Sequence, residues 1–212
     1  MKRVQSMAGG LCVRAGVLKM VSAGSMMLLM GLLALGVSCG DSDTSEPDNG
    51  STPTVEWTAD GVISPGEYAK TRTYGNYELN WRSDQQYVYV GMKAKTTGFV
   101  ALGIQPGSRM KNADMVFGFV KDGETTVHDL FSTGDFGPHP PDTQMGGTND
   151  ITVSAGKEED GHTTIKFQRA LVTGDQYDNP LSSGQNKIIW SYGSADDLEP
   201  KHSSRGYGEL DL

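Results

Sequence analysis

What limits the folds open to this chain is a rhythm of short apolar runs, rich in β-branched and aromatic residues, each cut off by turn formers. Nowhere does an apolar i, i+3, i+4, i+7 pattern last for three turns, so no amphipathic helix is indicated. From Val55 onward, Gly and Pro recur roughly every 8–12 residues, the spacing of sandwiches and barrels. Glu78-Leu79-Asn80-Trp81 alternates, and Tyr87-Val88-Tyr89-Val90-Gly91-Met92 follows a turn-like Ser83-Asp84-Gln85-Gln86. Phe99 to Ile104, Met115 to Val120, Thr125 to Leu130, Ile151 to Val153, Thr163 to Phe167, Lys187 to Tyr192 and a last run from Gly206 to Leu212 complete the set. Asp122-Gly123 and Asp160-Gly161 read as hairpin turns, because only Gly, Asn and Asp enter the left-handed region cheaply. An all-β domain of two packed antiparallel sheets is expected. Residues 105–112 and the stretch from 134 to 150 break the rhythm, and such loops on a rigid scaffold are where binding groups gather.

The first 54 residues obey different rules. Lys2, Arg3, Arg14 and Lys19 form a basic leader, and an uncharged, mostly apolar run from Met20 to Val37 follows. A basic start, an apolar middle and small residues before a cut site describe a secretory signal, here residues 1–38. Gly36-Val37-Ser38-Cys39-Gly40 resembles the lipobox of bacterial lipoproteins, in which the cysteine is lipidated and becomes the first residue. Leu35 stands one place earlier than the usual leucine. The resemblance implies an extracytoplasmic protein held at a membrane only through a lipid on Cys39. Residues 39–54, containing DSDTSEPDNGSTP, read as an acidic flexible tether, and residues 55–212 as the domain.

Cysteine and charge close off several function classes. The two cysteines are Cys12 and Cys39, so the domain has no disulfide, thiol nucleophile or covalent c-type haem motif. The leader holds four of the 18 Lys and Arg and none of the 26 Asp and Glu, which leaves 14 basic against 26 acidic side chains and a net charge of −12. Such a surface repels nucleic acid and anionic head groups.

Within the domain, Phe99-Val100-Ala101-Leu102-Gly103-Ile104, then Met110, then Asn112-Ala113-Asp114-Met115-Val116-Phe117-Gly118, resembles the central motif of DOMON domains. Asp129, Gly161 with Thr163 to Phe167, Arg169-Ala170-Leu171, Trp190 with Gly193, and His202 continue the match in order. Asp60 to Tyr68 resembles the first strand region of bacterial members and of related carbohydrate-binding modules. The resemblance implies an immunoglobulin-like β-sandwich that binds either haem b or, by proposal, sugars. In the haem-binding branch a loop methionine and a C-terminal histidine hold the iron, positions that correspond here to Met110 and His202.

The chemistry of those two residue types suits that role. A thioether and a neutral imidazole give six-coordinate, low-spin iron with a raised potential and no open position, which suits one-electron transfer. Lys111 and Lys201 flank the two ligands and are candidates to pair with haem propionates, although each also reads as an ordinary solvated lysine. Phe99, Phe117, Trp81, Tyr87 and Trp190 are candidates to wall a haem pocket, although at alternating strand positions they read first as general core. His128, Asp129 and His139 match no zinc spacing, and Asp135, Asp142 and Asp150 form no EF-hand-like series. No catalytic constellation is found, and the chain is expected not to be an enzyme. The expected function is therefore an electron carrier serving a redox partner protein. A haem-free sugar or small-ligand binding module is the alternative.

Overall fold

The computed structural model describes residues 55–199 and 201–212; the leader, Cys39 and the tether lie outside them. Ten strands and one short helix follow in order: β1 (Lys70–Tyr74), β2 (Tyr77–Ser83), β3 (Tyr87–Ala94), β4 (Val100–Ile104), β5 (Asp114–Lys121), β6 (Glu124–Phe131), α1 (Asp142–Met145), β7 (Ile151–Glu159), β8 (His162–Ala170), β9 (Gln185–Tyr192) and β10 (Ser204–Asp211). They build two five-stranded sheets, β1-β2-β3-β8-β7 and β10-β9-β4-β5-β6, with every neighbouring pair antiparallel. This is the expected all-β sandwich. Asp122 and Gly123 have φ of 53° and 81°, and Asp160 and Gly161 have 52° and 71°, the positive values that two-residue hairpin loops require.

The period-two alternation of each strand decides what it buries. Leu79, Trp81, Val90, Met92, Ile165 and Phe167 of the first sheet meet Val100, Leu102, Ile104, Val116, Ile188 and Leu210 of the second in the main core. The second sheet is apolar on its other face as well. There Ala101, Met115, Phe117, Phe119 and Leu130 form a separate cluster with Phe99 and Ala113, against which Met110, Ile189 and Leu198 pack.

The first sheet is covered on its outside by the segment before β1. Lys166, fully buried on β8, donates to Asp60 Oδ1 at 2.8 Å, to Val62 O at 2.7 Å and to Glu67 Oε1. Three acceptors satisfy all three ammonium protons, which makes burial of this charge tolerable. Trp57 lies over the same lysine and donates from Nε1 to Tyr68 Oη at 2.9 Å.

Several sequence expectations change. Asp60 to Tyr68 is no strand, and β1 begins only at Lys70. The run expected at Ile151 to Val153 extends to Glu159, and the irregular stretch after Gly134 contains α1. Trp81 and Trp190 are main-core residues, whereas Tyr87 is only half-buried and Phe99 and Phe117 belong to the outer cluster.

Candidate functional site

The outer face of the second sheet carries a cavity of about 460 Å³, within the ~300–1,000 Å³ usual for ligand and cofactor sites. Its floor is made by Ala101 and Gly103 of β4, Met115 and Phe117 of β5, and Ile189 of β9. Small residues side by side on β4 create the depression. A Cβ on Gly103 would come within 2.6 Å of Ile189 Cγ1, so even one methyl group there would collide with the floor. Phe99 stacks on Phe117 with ring centroids 4.2 Å apart and stiffens one side.

Three loops and one strand raise the walls. The β4–β5 loop contributes Arg109 and Met110. It folds back on itself through Gly107 N–H to Lys111 O at 2.8 Å, Lys111 N–H to Ser108 O at 2.9 Å and Ala113 N–H to Met110 O at 3.0 Å. Arg109 and Asn112 take positive φ of 54° and 61°, which lets so short a loop reverse twice. Asn179 then fixes it from outside, its Nδ2 donating to Asn112 O at 2.8 Å and to Ile104 O at 3.0 Å. The loop after β6 adds Asp135, Phe136 and His139, and the β9–β10 loop adds Leu198, Lys201 and His202. Arg205 and Tyr207 of β10 complete the rim.

The structure therefore brings Met110, Lys201 and His202 to one cavity. Lys111 is exposed and does not line it. Met110 is half-buried against the outer cluster, while His202 is exposed. Desolvation first, then the charges of Arg205 and Lys201, hold the His202 imidazole below its ordinary value, which favours the neutral ring with a lone pair to offer. Arg109, Arg205 and His139 were not singled out in the sequence as parts of such a site. His139 lies against Phe117, with ring centroids 6.4 Å apart, and Arg109 lies 4.4 Å from the centroid of Phe136. Arg109 and Arg205 carry no sequence signal beyond lying close to Met110 and His202.

The donor set fits an iron porphyrin. A soft thioether, a neutral imidazole, an apolar floor and the cations of Arg109, Lys201 and Arg205 are the groups a haem with two carboxylates requires.

Comparison with known proteins identifies kin. The DOMON domain family model matches residues 73–193. "MOXD1 homolog 1" of Drosophila melanogaster is 29% identical over 77% of this chain and 23% of its own length. "DBH-like monooxygenase protein 1" of Mus musculus and of Homo sapiens are each 29% identical over 65% of this chain and 22% of theirs. The chain thus spans under a quarter of the curated relatives it matches. Among solved structures, the cytochrome b domain of pyranose dehydrogenase from Coprinopsis cinerea has a TM-score of 0.47 at 14% identity, covering 64% of this chain and 75% of that one. The cytochrome domain of Myriococcum thermophilum cellobiose dehydrogenase has a TM-score of 0.46 at 12% identity, covering 64% and 74%.

These relatives correct one expectation. With no catalytic constellation in it, the chain is expected not to be an enzyme, yet relatives it matches are named as monooxygenases. A motif search detects constellations of reactive side chains; kinship at this identity is carried by the strand pattern and core of a whole domain. The chain is similar to a part, under a quarter, of proteins that carry that name.

Proposed function

Because the chain belongs to the DOMON domain family, we propose that it binds haem b in the cavity on its second sheet and passes single electrons to a redox partner protein. One observation carries this reading: Met110 and His202, far apart in sequence and on different loops, line the same cavity. Met110 supplies the sulfur ligand and His202 the imidazole nitrogen. Lys201, with Arg109 and Arg205 in addition to the lysine foreseen from sequence, pairs with the propionates. Phe117, Met115 and Ile189 would give the bound group an apolar floor that excludes water. Bound haem supplies reversible one-electron exchange, and two protein ligands leave no position for oxygen. Cys39 holds the domain at the outside of a membrane through its lipid, with residues 39–54 as tether.

A second reading, a haem-free site for a sugar or other small ligand, has one observation in its favour. Phe136 and Tyr207 line the cavity and are 73% and 67% exposed, open aromatic faces of a kind that ligand rings pack against.

An absorption spectrum of the chain expressed with haem supply separates the two. The haem reading expects a red protein with a low-spin spectrum and sharp α and β bands on reduction, lost in both Met110→Ala and His202→Ala. A colourless protein after haem titration, stabilised against heat by a glycan, sinks it in favour of the second.

A further inference from the structure

Away from the cavity, the described residues bury a second charged cluster whose charges do not balance. Asp114 opens β5, Asp129 lies in β6, Asp142 opens α1 and Asp178 lies between β8 and β9; all four are buried. One carboxylate oxygen from each of Asp114, Asp129 and Asp178 lies within 4.8 Å of the other two. The cation among them is Arg169, itself fully buried. Its Nη1 donates to Asp114 Oδ2, and its Nη2 donates to Asn179 O at 2.7 Å. Asp114 Oδ2 also accepts the Asn179 N–H at 3.0 Å, and Asp129 Oδ2 accepts the Asp150 N–H at 2.7 Å.

That leaves the opposite oxygens. Asp114 Oδ1, Asp129 Oδ1 and both oxygens of Asp142 are buried and accept no hydrogen bond. With all four ionised, four carboxylates against one guanidinium would leave three negative charges out of water, an arrangement that costs several kcal/mol per uncompensated ion. Burial first, and neighbouring carboxylates after it, push Asp129 and Asp142 up to about 7. The antiparallel Leu130–Pro141 bridge holds the start of α1 against the part of β6 that carries Asp129, which brings Asp142 to the cluster from a different element.

We propose that Asp114, Asp129, Asp142 and Asp178 form a calcium site beside Arg169. The donors are all carboxylate oxygens, without the histidine or cysteine that zinc or copper would select. Calcium takes oxygens at about 2.3–2.6 Å, so two ligands of one ion stand up to about 5 Å apart, in keeping with the 4.8 Å grouping. Calcium tolerates irregular geometry, whereas magnesium demands a near-ideal octahedron. The ion takes the oxygens that no N–H reaches and lowers the net charge of the fully ionised group from −3 to −1. It also ties together β5, β6, α1 and the β8–β9 connection, and so the bases of the two loops that carry Met110 and His139. The site is independent of haem.

The test uses the full chain, stripped with EDTA, desalted and titrated with CaCl2 at pH 7.5 by calorimetry and in thermal melts. One ion per chain is expected, with Tm higher by about 5–10 °C at a hundredfold excess over Kd, and a smaller rise with MgCl2. Asp142→Asn and Asp178→Asn, near-isosteric and uncharged, should each weaken calcium binding at least tenfold. No binding by the wild-type chain at millimolar calcium overturns the proposal and leaves protons as the neutralising charge. Unchanged binding in both variants overturns it too, since the ion then sits elsewhere. Should the variants not fold, Tb3+ luminescence of the wild-type chain decides: displacement by calcium at one ion per chain supports the site, and its absence refutes it.

Discussion

Lys166 shows how much a single side chain can be committed. It carries a buried charge, saturates its donors on Asp60, Val62 and Glu67, and anchors the segment that covers the first sheet. Lys166→Met should lower stability by about 3–5 kcal/mol, because Glu67 is then left buried without its cation. Adding Glu67→Leu should restore more than half of that loss in urea denaturation. Little of this was legible: in Thr163-Thr164-Ile165-Lys166-Phe167 a lysine between apolar residues reads as solvent-facing, and only the covering segment makes it internal. The cavity residues divide along similar lines. Met110 and His202 could be found because they fall at the two ligand positions of the DOMON motif that the sequence resembles, and Lys201 because it flanks one of them. Arg109, Arg205 and His139 could not, since loops without periodicity bring them to the site. Lys111 failed to join because the chain reverses at Arg109 and again at Asn112, both with positive φ.

Strands and turns were more readable than side-chain roles. Two-residue loops at Asp122-Gly123 and Asp160-Gly161 set the registers of β5–β6 and β7–β8, and both stood out in the sequence. β1 did not, because Lys70 to Thr73 are exposed and offer no apolar alternation; pairing with β2 makes it a strand. The β2–β3 turn rests on Asp84, whose Oδ1 accepts the Gln86 and Tyr87 N–H groups at 2.8 and 2.7 Å and whose Oδ2 accepts the Tyr89 hydroxyl at 2.7 Å. Slight desolvation works against the charged form, but these hydrogen bonds outweigh it and hold the carboxyl below its ordinary value. A folded-state value below the unfolded one stabilises the chain above the ordinary carboxylate range, and that gain is lost as pH falls through the lowered value. Asp84→Ala should therefore lower the urea midpoint most at pH 7, with the difference shrinking once the pH drops below about 4. An effect of equal size at every pH would mean that the turn does not depend on the charge.

For the molecule entire, the sandwich followed from rhythm and turn chemistry, and the family from an ordered series of weak matches spread over the domain. The membrane attachment proposed above depends on Cys39. Cys39→Ala should move the chain from the membrane fraction to the soluble extracytoplasmic fraction and remove the lipid mass from the mature protein. An unchanged distribution would show that something else holds it.

The two-faced second sheet has a further consequence. Along β4, Val100, Leu102 and Ile104 face the main core, while Ala101 and Gly103 face the cavity. Parity of position therefore separates two kinds of change. Substitutions at one set of alternate residues alter whether the protein stands, and those at the other alter the shape of the cavity. A lineage could recut that cavity by altering every second residue of one strand while the architecture beneath stayed as it was.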